Sequence, residues 1–319
     1  MDIVESLEII SPGPLTTVQD LGRYGFGRYG VPPSGALDSF SLRVANLLVG
    51  NPEAEAGLEI TLMGLKVRAL TDLVVALCGG NLQPYLNDRP FDMWRSQIVR
   101  TGDTLFLKAP RSGCRAYLAV GGGISLAPVL ASKSTNLAST FGGYEGRSLR
   151  KGDLLCSGAP EHHLRSAGKG FKPEGRPSYK GDWLIRALLG PQDQDFPEES
   201  KRLFLDSPFK VSSQSDRTGI RLSGPALHRK RNLADSIVSE GVVPGAIQVP
   251  GDGQPIILLV ETVTGGYRKI ATVISADLSL LGQIKPGDQA RFQEVSITEA
   301  KVMLWERENH IHLLKKNLG

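Results

Sequence analysis

The chain has 319 residues, 37 lysines and arginines against 33 acids, and 40% hydrophobic residues. That length holds two ordinary domains with real cores, and the composition excludes disorder as the main state. A net charge of +4, with basic residues scattered and few aromatics between them, excludes a nucleic-acid or membrane-surface stripe.

No apolar run approaches the length of a membrane span, and the acidic start MDIVESLEIISPGPL lacks the basic region and long apolar run of a signal peptide. The protein is therefore expected in the cytoplasm. The 37 glycines and 20 prolines stand at the ends of apolar runs, which favours short strands and tight turns. Cys78, Cys114 and Cys156 are odd in number and far apart. They are expected as buried free thiols, not as disulfides or a zinc knuckle.

The first strand-like run is LEII, before Ser11, and it leads into TTVQDLGRYGFGRYGVPPSGALD at 16–38. This stretch has five glycines, two adjacent prolines and no core-forming run. Gln19 and Asp20 follow a strand, and Arg23 and Arg28 offer planar forks for a carboxylate or phosphate. A solvated Pro/Gly corner is the competing reading. A helix is predicted from Asp38 as N-cap, with Phe40, Val44, Leu47 and Leu48 on one face and Gly50 as its stop.

Further strands are predicted at LVVALC (73–78), DTLFL (103–107) and CRAYLAV (114–120). The polar, Gly/Pro-interrupted stretch between Gly158 and Ser178 reads as an exposed linker or long surface loop, with a domain boundary near it. A second β series opens at WLIRALLG and continues through PIILLVET (255–262), KIATVIS (269–275) and ARFQEVSI (290–297). Ser296 and Glu299 form a capping box for a C-terminal amphipathic helix carrying Val302, Leu304 and Trp305. The expected fold is mainly β with a few helices, a β-rich α+β protein of two domains. The domains are placed at 1–165 and 178–297, with a helical tail at 298–319.

Two stretches of the second half concentrate polar residues near glycines. In VSSQSDRTGIRLSGPAL (211–227), Ser215, Asp216, Arg217 and Arg221 crowd together. The two arginines could hold an anion with Asp216 fixing one of them, or Asp216 and Arg217 could be hairpin turn residues. In the other, Thr264, Gly265, Gly266 and Tyr267 follow an apolar run, with Lys269 close by. Consecutive glycine N–H groups beside a threonine hydroxyl suggest an anion-binding nest, against a plain strand-to-strand turn.

Several familiar sites are absent. There is no GxxxxGK[ST], GGGIS at 121–125 is not GxGxxG, and no serine or cysteine sits in a GxSxG elbow. Only His310 and His312 have metal-ligand spacing, and they decorate a terminal helix, so no metal site is expected. No lysine lies between methionines to carry biotin.

Seven segments in register carry a resemblance to a known family. They are TTVQDLGRYGFGRYGVPPSGALD, RVANLLVGN with LEITLMG, YLAVGGGI, FGGYEGR, SSQSDRTGIRLSG, GAIQVPGDGQPI and TGGY. Together they resemble the KipA, or allophanate hydrolase subunit 2, family, from Ile9 to about Phe292. The resemblance implies cyclophilin-like β-barrel architecture and similarity to the carboxyltransferase domain of urea carboxylase. It implies one component of a multi-subunit, ATP-hydrolysing 5-oxoprolinase, which converts 5-oxoproline to glutamate with activation of the lactam by phosphorylation.

The partners implied are a KipI-like protein and a LamB/YcsF-like protein, and the cofactor is ATP with Mg2+. On this resemblance, Asp20, Arg217 and Lys269 are the catalytic candidates. Gln19, Arg23, Ser34, Ser215, Asp216, Arg221, Gln248, Thr264, Gly265, Gly266 and Tyr267 are candidates for substrate or nucleotide binding. Glu261, Val263 and Arg268 depart from the family pattern around TGGY, which puts the substrate in question. Two alternatives accompany this reading: a biotin-dependent carboxyltransferase acting on urea or a related amide, and a KipA-like regulator that antagonises a KipI-like kinase inhibitor.

Overall fold

A computed structural model describes residues 3–318. It divides into two compact units, one comprising residues 3–23, 34–179 and 309–318, the other 24–33 and 180–308.

The first unit is built on two sheets. One runs in the order Leu154–Gly158, Ile3–Pro12, Leu65–Ala69, Thr104–Leu107, Pro84–Leu86, Arg89–Pro90; the other Leu15–Gln19, Gly57–Thr61, Ser112–Val120, Leu73–Asn81, Ser96–Val99. The main core is shared between them. Leu7, Ile9, Val67 and Leu105 from the first sheet cluster with Val18, Leu58, Ile60, Leu77 and Leu118 from the second. Each such side chain, fully buried, contributes roughly 1.5–3 kcal/mol.

Helix α1 (Ser39–Leu48) covers part of the second sheet's other face, where Leu42 packs with Tyr117 and Ala36. Cover on both faces explains why LVVALC reads as an unbroken apolar run instead of alternating. Helix α1 starts as its sequence predicts: the Asp38 side chain accepts from the Ser41 N–H at 3.0 Å. Gly50 ends it at φ +80°.

The segment between Gly158 and Ser178 is a largely exposed stretch of the first unit, pinned to it at a few points, and the second unit resumes at Lys180. The Ser96 hydroxyl donates to the Ser166 carbonyl at 2.6 Å, and the Phe171 ring lies 5.9 Å from those of Phe40 and Trp94. A buried aromatic inside a polar, glycine-rich stretch is what the composition hid. Cys78 and Cys114 are buried and free, and Cys156 is half-buried and free. Burial pushes the Cys78 thiol well up, and the Asp38 charge adds to it.

The second unit centres on a closed seven-stranded barrel. Its order is Asp182–Leu189, Arg268–Val273, Ala246–Val249, Ile256–Leu258, Gly219–Ser223, Phe209–Val211, Gln289–Glu294, and the last strand closes parallel onto the first. Helix α2 (Glu198–Asp206) plugs its core through Phe204, stacked on Phe292 at 4.3 Å and tilted against Phe209. A short helix α3 (Leu278–Leu281) follows Arg268–Val273 in sequence. Helix α4 (Ile297–Leu318) begins at the predicted capping box, with Glu299 accepting from the Ser296 N–H at 2.7 Å and donating its own N–H to the Ser296 hydroxyl at 3.2 Å.

Candidate functional site

The residues put forward from the sequence fall into two groups, one in each unit. In the first unit, Leu15–Gln19 delivers Gln19 and Asp20 to the loop at 129–143. Asp20 is buried, and four donors converge on its carboxylate: the N–H of Gly22 at 2.7 Å, the N–H of Lys133 at 2.6 Å, the Ser132 hydroxyl at 2.7 Å and the Ser134 hydroxyl. Three of the four fall on Oδ1, and Oδ2 accepts only from the Lys133 N–H. Asp20 holds the 132–134 turn in place.

Arg23 is buried as well. Its guanidinium donates to the Val129 carbonyl at 3.4 Å and to the Ser134 carbonyl, and lies 4.7 Å from the Phe141 ring centre. The fork expected to bind an anion therefore ties two loops together. Gln19 donates to the Thr17 hydroxyl and the Thr135 carbonyl, while its own buried carbonyl oxygen has no partner. Ser34, at φ 54°, accepts from the Asn136 amide at 3.0 Å. Gly35 explains one of the five glycines. At φ +89° its Cα faces Gly22, and a Cβ there would sit 2.8 Å from the Gly22 nitrogen.

In the second unit the cations are mostly neutralised. Arg217 and Glu261 form a buried ion pair, Nε to Oε1 at 2.6 Å, each side chain 3% exposed. Lys269 is buried with its ammonium on Glu240, whose carboxylate also accepts from the Gln192 amide at 2.7 Å. That contact with Lys269, aided by Gln192, holds the Glu240 carboxyl below its usual range. Arg268 pairs with Asp195 at 2.7 Å. The sequence offered Glu261 only as a departure from the family pattern, and gave no sign of Glu240, Gln192 or Asp195.

Asp216 does not fix either arginine. Its carboxylate accepts from the N–H groups of Thr218 at 2.7 Å and Gly219 at 3.1 Å, the turn role that local sequence allowed. Ser215 accepts from the Arg221 N–H at 3.0 Å, bracing the strand Gly219–Ser223. The nest expected at Gly265 and Gly266 does not form. Thr264–Gly265 pairs as a short strand with Glu240–Gly241, and neither glycine adopts the left-handed φ a nest requires.

Gly265 serves another purpose. Gln248, paired with Lys269 across the barrel strands, is buried against it: a Cβ on Gly265 would lie 2.2 Å from the Gln248 amide nitrogen. That nitrogen donates to the Tyr267 carbonyl at 3.2 Å. The exposed Tyr267 is thereby held at a cleft of about 420 Å3 on the barrel, which also receives Ser212, Gln214, Arg221, Ser223, Asp252 and Gln254. The volume suits a small ligand. This cleft is where candidates from two separate sequence stretches, Arg221 and Tyr267, meet.

The family model "Carboxyltransferase domain, subdomain A and B" matches residues 29–294. The chain belongs to this carboxyltransferase family. It is 43% identical to the C subunit of 5-oxoprolinase from Escherichia coli K12 over 92% of this chain and 93% of that one. With the corresponding C subunit from Haemophilus influenzae it shares 38% identity over 96% of both chains. Among solved structures, the urea amidolyase of K. lactis superposes with a TM-score of 0.90 at 34% identity, over 98% of this chain but 20% of that one. No metal cluster of His, Cys, Asp or Glu exists among the described residues of this carboxyltransferase-family chain. No helix among them is long and apolar enough to cross a membrane.

Proposed function

We propose that this chain is the C-type component of an ATP-hydrolysing 5-oxoprolinase. The observation that carries the reading is the end-to-end match to the E. coli protein, which covers 92% of this chain and 93% of that one. The urea amidolyase likeness is equally complete for this chain but accounts for only one fifth of that protein. In this reading the lactam oxygen of 5-oxoproline takes the γ-phosphoryl group of ATP as ADP leaves; water then adds to that carbon, inorganic phosphate departs, and the C–N bond breaks with the nitrogen taking up a proton to give glutamate.

The chain works with a KipI-like and a LamB/YcsF-like protein in the cytoplasm, and ATP enters with Mg2+. Phosphoryl transfer depends on positioning and on stabilising charge more than on a covalent nucleophile, which fits a chain whose candidate cleft offers an arginine, a tyrosine and amide groups. The experiment is phosphate release from ATP by the three proteins together, with and without 5-oxoproline, and with each one omitted in turn. Stimulation by 5-oxoproline that requires this chain is the expected result. An intact complex without stimulation would refute the reading and bring forward urea-like amides with a biotin carrier.

A further inference from the structure

The cations of the second unit differ in one respect that matters for ligand binding. Arg217, Arg268 and Lys269 are committed to Glu261, Asp195 and Glu240. Arg221 is exposed, its backbone N–H is taken by Ser215, and its guanidinium has no partner among the described residues. It opens into the 420 Å3 cleft.

Asp252 lines the same cleft and is exposed, yet it does not pair with Arg221. One of its oxygens accepts from the Gln254 N–H at 3.0 Å, which fixes the carboxylate in the turn after the strand Ala246–Val249. Gln254 is itself spent on the backbone of Gly224, accepting at 2.9 Å and donating at 3.3 Å. The cleft therefore presents one free guanidinium, on the strand Gly219–Ser223, and one free carboxylate edge, on the turn after Ala246–Val249, with Tyr267 beside them and Pro250, Pro255 and Ile256 as apolar wall.

Opposite charges that share a cleft without collapsing onto each other are complementary to a ligand with the reverse arrangement. We infer that this cleft binds a small molecule carrying a carboxylate and, a few bonds away, an amide N–H. Arg221 takes the carboxylate through its planar fork, and Asp252 accepts the N–H. A lactam with a ring carboxylate meets both demands, so the inference deepens the 5-oxoprolinase reading by locating its substrate's two recognition groups, and rests on it for that ligand's identity. Tyr267, set by Gln248, closes the flank. Such a pair discriminates among ligands, because one lacking either group covers Arg221 or Asp252 and leaves it unpaired.

The test uses the assembled complex and three probes: 5-oxoproline, 2-pyrrolidinone, which lacks the carboxylate, and 5-oxotetrahydrofuran-2-carboxylate, whose ring oxygen replaces the N–H. Affinities are read by ligand-observed NMR, and ATP turnover is read separately as phosphate release. The native complex should bind 5-oxoproline best. Arg221→Gln should weaken 5-oxoproline by about tenfold or more and erase its advantage over 2-pyrrolidinone. Asp252→Asn should weaken 5-oxoproline while improving the lactone, since the new amide can donate to a ring oxygen.

That gain of lactone binding is a readout that mere misfolding cannot produce. Unchanged affinity ratios in both variants, equal loss of all three probes, or no binding to the native complex would overturn the inference. Binding of 5-oxoproline that depends on both residues, without stimulated phosphate release, would uphold the cleft and refute the proposed reaction.

Discussion

Arg217 and Glu261 meet at 2.6 Å with both side chains 3% exposed, joining the turn before the strand Gly219–Ser223 to the turn after Ile256–Leu258. Removing one partner leaves a buried charge uncompensated, at a cost of roughly 3–5 kcal/mol, whereas replacing both with apolar groups is often neutral. Arg217→Met should therefore lower the urea midpoint sharply, and Arg217→Met with Glu261→Leu should recover much of the loss. Equal destabilisation by the single and double variants would show that the pair is not the source of the effect.

The sequence exposed the fold's framework more fully than its site. Asp38, Gly50 and the Ser296–Glu299 box are local signals, each satisfied within a few residues, so the helix ends were legible. Strand runs such as LVVALC declared themselves because burial on both faces makes them continuously apolar. The site residues depend on partners far away in sequence. Asp20 meets Ser132 and Ser134, and Lys269 meets Glu240. No spacing rule reveals such pairings. A charged residue beside glycines looks the same whether it faces a ligand or a distant acid.

The Lys269–Glu240 contact makes a prediction about pH. Glu240 titrates below its usual range in the folded protein because Lys269, then Gln192, hydrogen-bonds its charged form. A carboxyl with a depressed folded pKa adds stability above its unfolded value of about 4.3, and that contribution vanishes as pH falls through the lower folded value. Native protein and Glu240→Gln should therefore differ in urea midpoint near neutrality and converge as pH is lowered from about 7 to about 3. A gap that stays constant over that range would rule out the linkage.

Gly265 separates stability from function. A methyl group there would sit 2.2 Å from the Gln248 amide nitrogen and displace it from the Tyr267 carbonyl. Because the obstructed atom ends a side chain, the fold has room to respond, and Gly265→Ala should lose only about one hydrogen bond, roughly 0.5–1.5 kcal/mol. Tyr267 loses its anchor, so KM for the cleft's ligand should rise by a larger factor than the stability change suggests. Wild-type KM in a protein with the Gln248 side chain visibly moved would contradict the anchoring role.

Asp20 was one of three catalytic candidates on sequence grounds, and its geometry forecasts a structural role for it. Its carboxylate receives two backbone N–H groups and two hydroxyls, and an asparagine amide nitrogen cannot accept from any of them. Asp20→Asn should destabilise the first unit by about 1–3 kcal/mol through donors left unpaired in a buried place. Hydrogen exchange should quicken first at Lys133 and Ser134, whose N–H groups rely directly on Asp20 or on the Ser132 hydroxyl it orients. Activity lost only in proportion to the folded fraction would match a residue that shapes a turn. Complete loss of turnover in a protein of native stability and unchanged exchange would instead place Asp20 in the chemistry, through the Oδ2 oxygen that accepts only from the Lys133 N–H.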